Sequence, residues 1–280
     1  MNRILVPTDF SSTAERAFRF AADIASKTSG TIILYHVDQK EEIPFFDSVE
    51  KRNEYNQQIE TNRVKQLKRL KKKVISEDMN VPVSTIVGRP PVVRDILRFA
   101  MHNQIELIVM GTQGASGLEK IVVGSVASQV IEKSPIPVLL IPEKFEWKDP
   151  EHIVFATNYD RKDRDALEFT LSLAKIYNAD VTVVHLTHEG SLLRKEDELD
   201  FNTYAYALQR TFSDSELNFK EIKTTRLNDT MENLHDELAY DMLVMVRHTK
   251  KFLEKFLLKS FTKNMACITT LPLLIVPEEE

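Results

Sequence analysis

The chain has 280 residues, of which 42% are hydrophobic and 28% charged, so it is long enough for two globular domains and unlike a disordered or fibrous protein. Its formal net charge of −5 argues against a general nucleic-acid surface, because phosphate backbones select strongly basic faces. A single cysteine, Cys267, excludes an internal disulfide, and no secretion signal or membrane span follows Arg3–Val6, so we expect a cytoplasmic protein with no membrane partner.

Short apolar runs alternate with amphipathic ones through the first half of the chain. Five runs have the length and β-branched content of buried strands: Ile4–Val6, Thr31–Val37, Pro82–Val87, Ile105–Met110 and Val138–Ile141. A first helix is predicted to begin at a capping box, Ser12-Thr-Ala-Glu15, and to end near Gly30, and a last one to cover Val126–Lys133. The basic stretch Lys65–Lys73 has apolar residues at helical spacing, so we interpret it as a solvated helix face.

This alternation predicts a doubly wound, Rossmann-like α/β fold with a five-stranded parallel sheet, because successive parallel strands need right-handed helical crossovers. Ligands of such sheets bind beyond the carboxyl ends of the strands, where the strand order reverses. Asp9, Val37, Gly88 and Gly111 each lie at or just past the end of a predicted strand. We therefore expect one crevice to collect all four.

The second half of the chain repeats the first. Ile4–Asp9 falls on Ile153–Asn158, and His36 falls on His185 at the same offset, so we predict two tandem domains over residues 1–145 and 150–280. The first copy carries extra residues, which we assign to Asp38–Asn56, a stretch with no clear period. We interpret this segment as a loop whose Phe45 and Phe46 dock on the sheet. A lid over the ligand is the alternative.

A glycine-rich run separates the predicted fourth strand from the last helix. Four of the chain's seven glycines lie in it: Gly111, Gly114, Gly117 and Gly124, the last followed by Ser125. Glycines permit positive φ and close approach of the backbone to an anion, and the free N–H groups of a helix start attract negative charge. The run predicts a phosphate-binding loop, although turn glycines, a helix-capping Asp9 and a core Val37 remain as alternatives.

The spacing of these glycines matches neither a P-loop nor a dinucleotide-binding fingerprint, and it resembles that of the universal stress protein family. The resemblance covers the whole chain as two tandem copies, with Ile4–Asp9 as the opening strand, Leu34–Val37 as the second and Val87–Pro90 as the third-strand turn. It implies a fold like that of the adenine nucleotide alpha hydrolases. It also implies bound ATP, with AMP or ADP as alternatives and Mg²⁺ beside the phosphates. The nucleotide-binding residues that it implies are Pro7, Thr8, Asp9, Val37, Gly88, Met110, Gly111, Gly114, Gly124 and Ser125.

The second copy departs from this pattern. Val246, Thr249 and Lys259 replace Gly111, Gly114 and Gly124, Asn158 replaces Asp9, and Ser125 is retained as Ser260. Branched residues disfavour positive φ, and each added side chain takes space that a triphosphate needs. We expect one nucleotide per chain, and we interpret the basic residues of the second loop as solvated charge, with anion binding as the alternative.

Three functions follow from these observations. The first is an ATP-binding sensor or adaptor in a stress response, read by an unknown protein partner; the second is a nucleotide-independent binding or chaperone-like module with a vestigial site. The third is a weak ATPase or phosphotransferase, which the sequence supports little, because no second acid, lysine or histidine accompanies Asp9. We interpret His36 as a packing or hydrogen-bonding residue, and we assign no catalytic residue and no protein metal site. The two domains are expected to pair within the chain, and further homodimerisation stays open.

Overall fold

The computed structural model describes residues 1–38, 48–76, 79–112, 124–146, 148–157, 163–188, 201–224, 234, 238–247 and 271–278. The chain divides into two compact units, Met1–Glu143 and Lys144–Glu280. Each unit consists of a parallel sheet with helices, and we describe them in turn.

The described residues of the first unit form nine elements. They are β1 (Arg3–Pro7), α1 (Ser12–Thr28), β2 (Thr31–Val37), α2 (Val49–Val74), β3 (Val83–Gly88), α3 (Val92–His102), β4 (Leu107–Gly111), α4 (Ser125–Lys133) and β5 (Val138–Ile141). All strand pairs are parallel, in the order β3-β2-β1-β4-β5. The strand order therefore reverses between β1 and β4, the position at which doubly wound sheets bind ligands.

The second unit repeats this arrangement in its described residues. Its elements are β6 (His152–Thr157), α5 (Asp163–Tyr177), β7 (Asp180–His188), α6 (Phe201–Thr211), β8 (Leu217–Thr224), β9 (Met242–Arg247) and β10 (Leu273–Pro277). The order β8-β7-β6-β9-β10 is again parallel throughout. The predicted fold class, two tandem doubly wound five-stranded α/β sheets, is confirmed.

Helix α1 covers the sheet of the first unit with the apolar face that the sequence predicts, but its ends differ by one residue. Ser11, and not Ser12, is the N-cap, and its Oγ accepts the N–H of Ala14 at 3.2 Å. Glu15 instead pairs with Arg19 and Lys73. At the other end Ser29, rather than Gly30, takes the left-handed conformation with φ 54°. Two adjacent serines offer the same capping hydroxyl, so the sequence alone does not tell which of them is the N-cap.

Helix α2 has 26 residues, and the described part of its counterpart in the second unit, α6, has 11. Lys65–Lys73 lies on it, with Leu67, Leu70 and Val74 buried beneath, so the prediction of a solvated basic face is confirmed. The expectation of an aperiodic segment up to Asn56 is wrong from Val49 onward, where α2 begins. These first turns are largely exposed, and an exposed helix lacks the apolar periodicity by which a sequence predicts a helix. Phe45 and Phe46, and with them the lid or docking interpretation, lie outside the described residues.

Candidate functional site

The predicted site residues that the structure describes lie along the carboxyl edge of the first sheet. Four strands end there: β1 at Pro7, β2 at Val37, β3 at Gly88 and β4 at Met110 and Gly111. Thr8 and Asp9 follow β1, Gly124 is the N-cap of α4, and Ser125 is its first residue. Gly114 lies outside the described residues.

Hydrogen bonds connect these strand ends into one surface. The Thr8 N–H donates to the Tyr35 carbonyl at 2.8 Å, and Val37 is the register partner of Gly88. On the other side of β1, the Gly124 N–H donates to the Thr112 carbonyl at 2.6 Å, which fixes the start of α4 beside the end of β4. The arrangement therefore puts backbone groups of four strands and the amino end of a helix on the carboxyl edge of the sheet, which includes the switch point between β1 and β4.

The segment after β1 forms a tight turn built on Asp9. The Ser11 N–H donates to Asp9 Oδ1 at 3.0 Å, and the Phe10 N–H donates to Thr8 Oγ1 at 3.0 Å. Phe10 itself adopts φ 66°. The alternative in which Asp9 serves the start of α1 is thus partly correct, since Asp9 holds the turn while Ser11 caps the helix. The Asp9 side chain is nevertheless exposed at the sheet edge.

Close packing explains two of the predicted glycines. A Cβ on Gly88 would lie 2.3 Å from Asp95 Oδ2 and 2.4 Å from Tyr35 Oη, and one on Gly111 would lie 2.6 Å from Thr13 Cγ2. Neither glycine has a left-handed φ. The expectation that the loop glycines serve positive φ is therefore wrong for Gly111, whose missing side chain makes room for the first turn of α1.

Sequence reasoning missed a buried carboxylate beside this edge. Asp95 is 4% exposed, and its Oδ2 accepts the Tyr35 hydroxyl at 2.6 Å and the Arg89 N–H at 2.8 Å. The Arg98 guanidinium pairs with Oδ1. Burial, together with the hydrogen bond to Asp95, raises the pKa of Tyr35 well above its ordinary value. An acid in the first turn of a helix is commonplace, so the sequence carries no signal of these contacts.

His36 makes the hydrogen bonds that its interpretation as a structural residue requires. Its Nδ1 lies 2.7 Å from the Thr8 carbonyl oxygen and its Nε2 lies 3.1 Å from Asp38 Oδ1. The Arg63 Nε donates to the same Asp38 oxygen at 2.7 Å, and the Phe10 ring lies 4.5 Å from the imidazole, centroid to centroid. The prediction of a packing and hydrogen-bonding role is confirmed.

Comparison with known proteins decides the family. A sequence model of the universal stress protein family matches residues 1–142 and again residues 150–277. The chain belongs to the universal stress protein family. The predicted resemblance, including its tandem form, is confirmed.

Two relatives and one solved structure show how similar other members are. The universal stress protein MJ0577 of Methanocaldococcus jannaschii is 31% identical over 156 residues, which make up 51% of this chain and 95% of that protein. YxiE of Bacillus subtilis is 27% identical over 153 residues, 50% of this chain and 98% of that one. A universal stress protein from Archaeoglobus fulgidus has the same fold over 99% of both chains, with a TM-score of 0.70 and 15% identity.

The second universal stress protein domain has different contacts at the matching edge. Thr157 Oγ1 donates to Asp163 Oδ2 at 2.5 Å and lies 3.0 Å from the Tyr204 hydroxyl, and all three side chains are buried. His185 Nδ1 lies 2.9 Å from the Thr157 carbonyl, the same contact that His36 makes with Thr8. Val246 is 2% exposed. Asn158, Thr249, Lys259 and Ser260 lie outside the described residues.

Metal ligation and membrane insertion can be examined only in the described part of the chain. There, no three or more His, Cys, Asp or Glu side chains come together as metal ligands would. None of the helices in the same residues is both long and apolar enough to cross a bilayer.

Proposed function

We propose that the first domain binds ATP at the carboxyl edge of its sheet and that the protein is a nucleotide-dependent sensor or adaptor in a stress response. ADP and AMP share the adenosine part and are the alternative ligands. Occupancy of this one site would bias a surface that a protein partner reads. No catalytic step is needed for this role.

The chemistry of the sheet edge suits each part of the ligand. Backbone N–H groups at the start of α4 and the exposed Ser125 hydroxyl are donors for phosphate oxygens, and the helix dipole favours negative charge there. The exposed Asp9 carboxylate is an acceptor for a ribose hydroxyl or a partner for Mg²⁺. Val37 offers backbone groups to a purine edge. Pro7, Thr8, Gly88, Met110, Gly111, Gly114 and Gly124 complete the proposed site.

One observation carries this proposal. The residues that the family resemblance implies come from four different strands and a helix start, yet those described lie on one edge of one sheet. That edge is the switch point between β1 and β4, where doubly wound sheets bind ligands.

Titration of nucleotide-free protein with ATP and Mg²⁺ tests the proposal. We expect saturable binding that Gly114→Val abolishes, with a loss of about 100-fold or more, because a branched side chain would take the space of the phosphates. Gly117→Val, in the same run but outside the proposed set, is the matched control and should bind as the wild type does. Unfolding curves of both variants should overlay that of the wild type.

The same experiment separates the other two functions. If the wild type binds none of ATP, ADP and AMP when Mg²⁺ is present, the protein is a nucleotide-independent binding module with a vestigial site. If it releases ADP over many turnovers, and Asp9→Ala stops this release, the protein is an ATPase or phosphotransferase.

A further inference from the structure

We propose that Asp95 is a positioning residue of the nucleotide site, where it holds the turn between β3 and α3, residues 88–91, in its binding geometry. This inference rests on the proposed function, since it assigns the turn to the same ligand. It adds to the site two side chains, Asp95 and Tyr35, that the family resemblance does not supply.

The carboxylate of Asp95 is buried beside this turn. A buried carboxylate is costly unless hydrogen bonds and charges compensate for lost water. The Asp95 carboxylate is compensated by two neutral donors to Oδ2, the Tyr35 hydroxyl at 2.6 Å and the Arg89 N–H at 2.8 Å, and by the guanidinium of Arg98 at Oδ1, whose side chain is 63% exposed. One of these two donors, the Arg89 N–H, belongs to the backbone of the turn itself. The buried carboxylate therefore fixes the position of the turn.

The backbone at Gly88 is closely packed by neighbouring side chains. Asp95 Oδ2 and Tyr35 Oη occupy the space that a Gly88 side chain would need, 2.3 and 2.4 Å from its ideal Cβ position. The Tyr35 ring is held in turn against Phe99 of α3, with ring centroids 4.5 Å apart. The backbone at Gly88 and Arg89 is therefore pressed between β2 and α3, and Val37 is its register neighbour. A shift of this turn would move the edge that the purine is proposed to meet.

The second domain offers an internal comparison. At the offset that aligns His36 with His185, Tyr35 falls on Val184, which is fully buried and has no hydroxyl. The Tyr35 half of this arrangement therefore belongs to the first domain alone, as the phosphate-loop glycines do.

Asp95→Asn and Tyr35→Phe test the proposal in the full chain. In Asp95→Asn the charge is lost, and either orientation of the amide sets its NH2 group against a donor, the Arg98 guanidinium or the Arg89 N–H. We therefore expect about tenfold weaker ATP binding and about tenfold faster hydrogen exchange at the Arg89 amide. Tyr35→Phe leaves the bond to Arg89 in place and should give a smaller change in both. Thr28→Val is the matched control: it removes a partly buried hydroxyl that bonds to Met1 and Ile24 backbone at the opposite edge. It should lower stability and change neither ATP affinity nor Arg89 exchange.

Two readouts keep this inference separate from the proposed function. Unchanged Arg89 exchange in Asp95→Asn would overturn it, as would unchanged ATP affinity where Gly114→Val abolishes binding. A change of equal size in Thr28→Val would also overturn it, because general destabilisation would then account for the effect. If the wild type binds no ATP, the proposed function fails, and exchange at Arg89 alone decides whether Asp95 holds the turn.

Discussion

The two domains share a strand order and a histidine contact but differ in how the first strand of each ends. In the first domain Thr8 Oγ1 accepts the N–H of Phe10, two residues along the chain, and Asp9 is exposed within this short turn. In the second, Thr157 Oγ1 joins Asp163 of α5 and Tyr204 of α6 in a buried polar cluster. The corresponding edge of the second domain is thus occupied by its own side chains.

This difference teaches that losing a site involves more than losing glycines. Gly111 leaves room for Thr13 in the first domain, and its counterpart Val246 is buried in the second. At the first-domain position equivalent to Asp163 stands Ala14, which brings no polar group to the strand end. Each domain has therefore packed around its own residue at these positions.

Exchanging the two residues at the end of the fourth strand should give the largest effect. Gly111→Val forces a branched side chain against Thr13, and overpacking of this kind costs about 1–3 kcal/mol of unfolding free energy. Val246→Gly removes a buried side chain and frees the unfolded backbone, at a cost of about 2–4 kcal/mol. Urea unfolding followed by hydrogen-exchange mass spectrometry assigns each loss to its own domain.

Val246→Ala separates the cavity from the backbone effect and should cost less than Val246→Gly. A Gly111→Val variant as stable as the wild type would contradict the packing explanation. The glycine would then be needed only for the close approach of a ligand.

Asp9→Asn gives the first domain the residue that the second carries at this position. The amide oxygen can still accept the Ser11 N–H, so the turn should persist and stability should stay within about 0.5 kcal/mol of the wild type. Loss of the charged acceptor should weaken ATP binding about tenfold, or 1.4 kcal/mol. Calorimetric titration measures this change, and Asp23→Asn at the far end of α1 is the control. Unchanged affinity would remove Asp9 from the site.

A smaller effect is expected from pH in the second domain. Burial lowers the pKa of His185 below its ordinary value of 6.5, against the opposing influence of the Thr157 carbonyl, Glu221 and Asp163. The unfolded state therefore binds more protons, and the stability that the neutral imidazole contributes above pH 6.5 is lost as the pH falls through the folded-state pKa.

His185→Asn keeps a donor for the Thr157 carbonyl and does not titrate. Between pH 7 and 5 its second domain should lose less stability than that of the wild type, by up to about 1.4 kcal/mol per unit of pKa shift. Unfolding curves at several pH values measure the difference, with His36→Asn as the first-domain control. Parallel losses in His185→Asn and the wild type would show that His185 is not the titrating group.

The strands and the repeated histidines could be predicted from the sequence, because both show as periodicity or repetition. The strands of the first unit were predicted to within about two residues, because buried parallel strands are continuous apolar runs. His36 and His185 were recognised as structural because they recur at one offset, and Thr8 and Thr157 supply the same carbonyl to both. Strand ends then gave the edge on which the candidate residues lie.

Contacts between residues distant in sequence were beyond this reasoning. The Tyr35–Asp95 hydrogen bond joins residues 60 positions apart, and Tyr204 reaches Thr157 across 47 positions, with no motif at either end. The first turns of α2 are exposed to solvent and carry no apolar periodicity, so the sequence does not predict them. The N-cap of α1 is ambiguous because Ser11 and Ser12 carry the same side chain. Packing of specific side chains, and not pattern, determines the contacts of Asp95 and Tyr204.

The number of nucleotides bound per chain tests the central claim most directly. Native mass spectrometry of the full chain with ATP and Mg²⁺, supported by calorimetry, counts them without any substitution. One nucleotide per chain, lost in Gly114→Val, is the result that we predict. Two nucleotides per chain would contradict our account of the second domain, and none would contradict our account of the first.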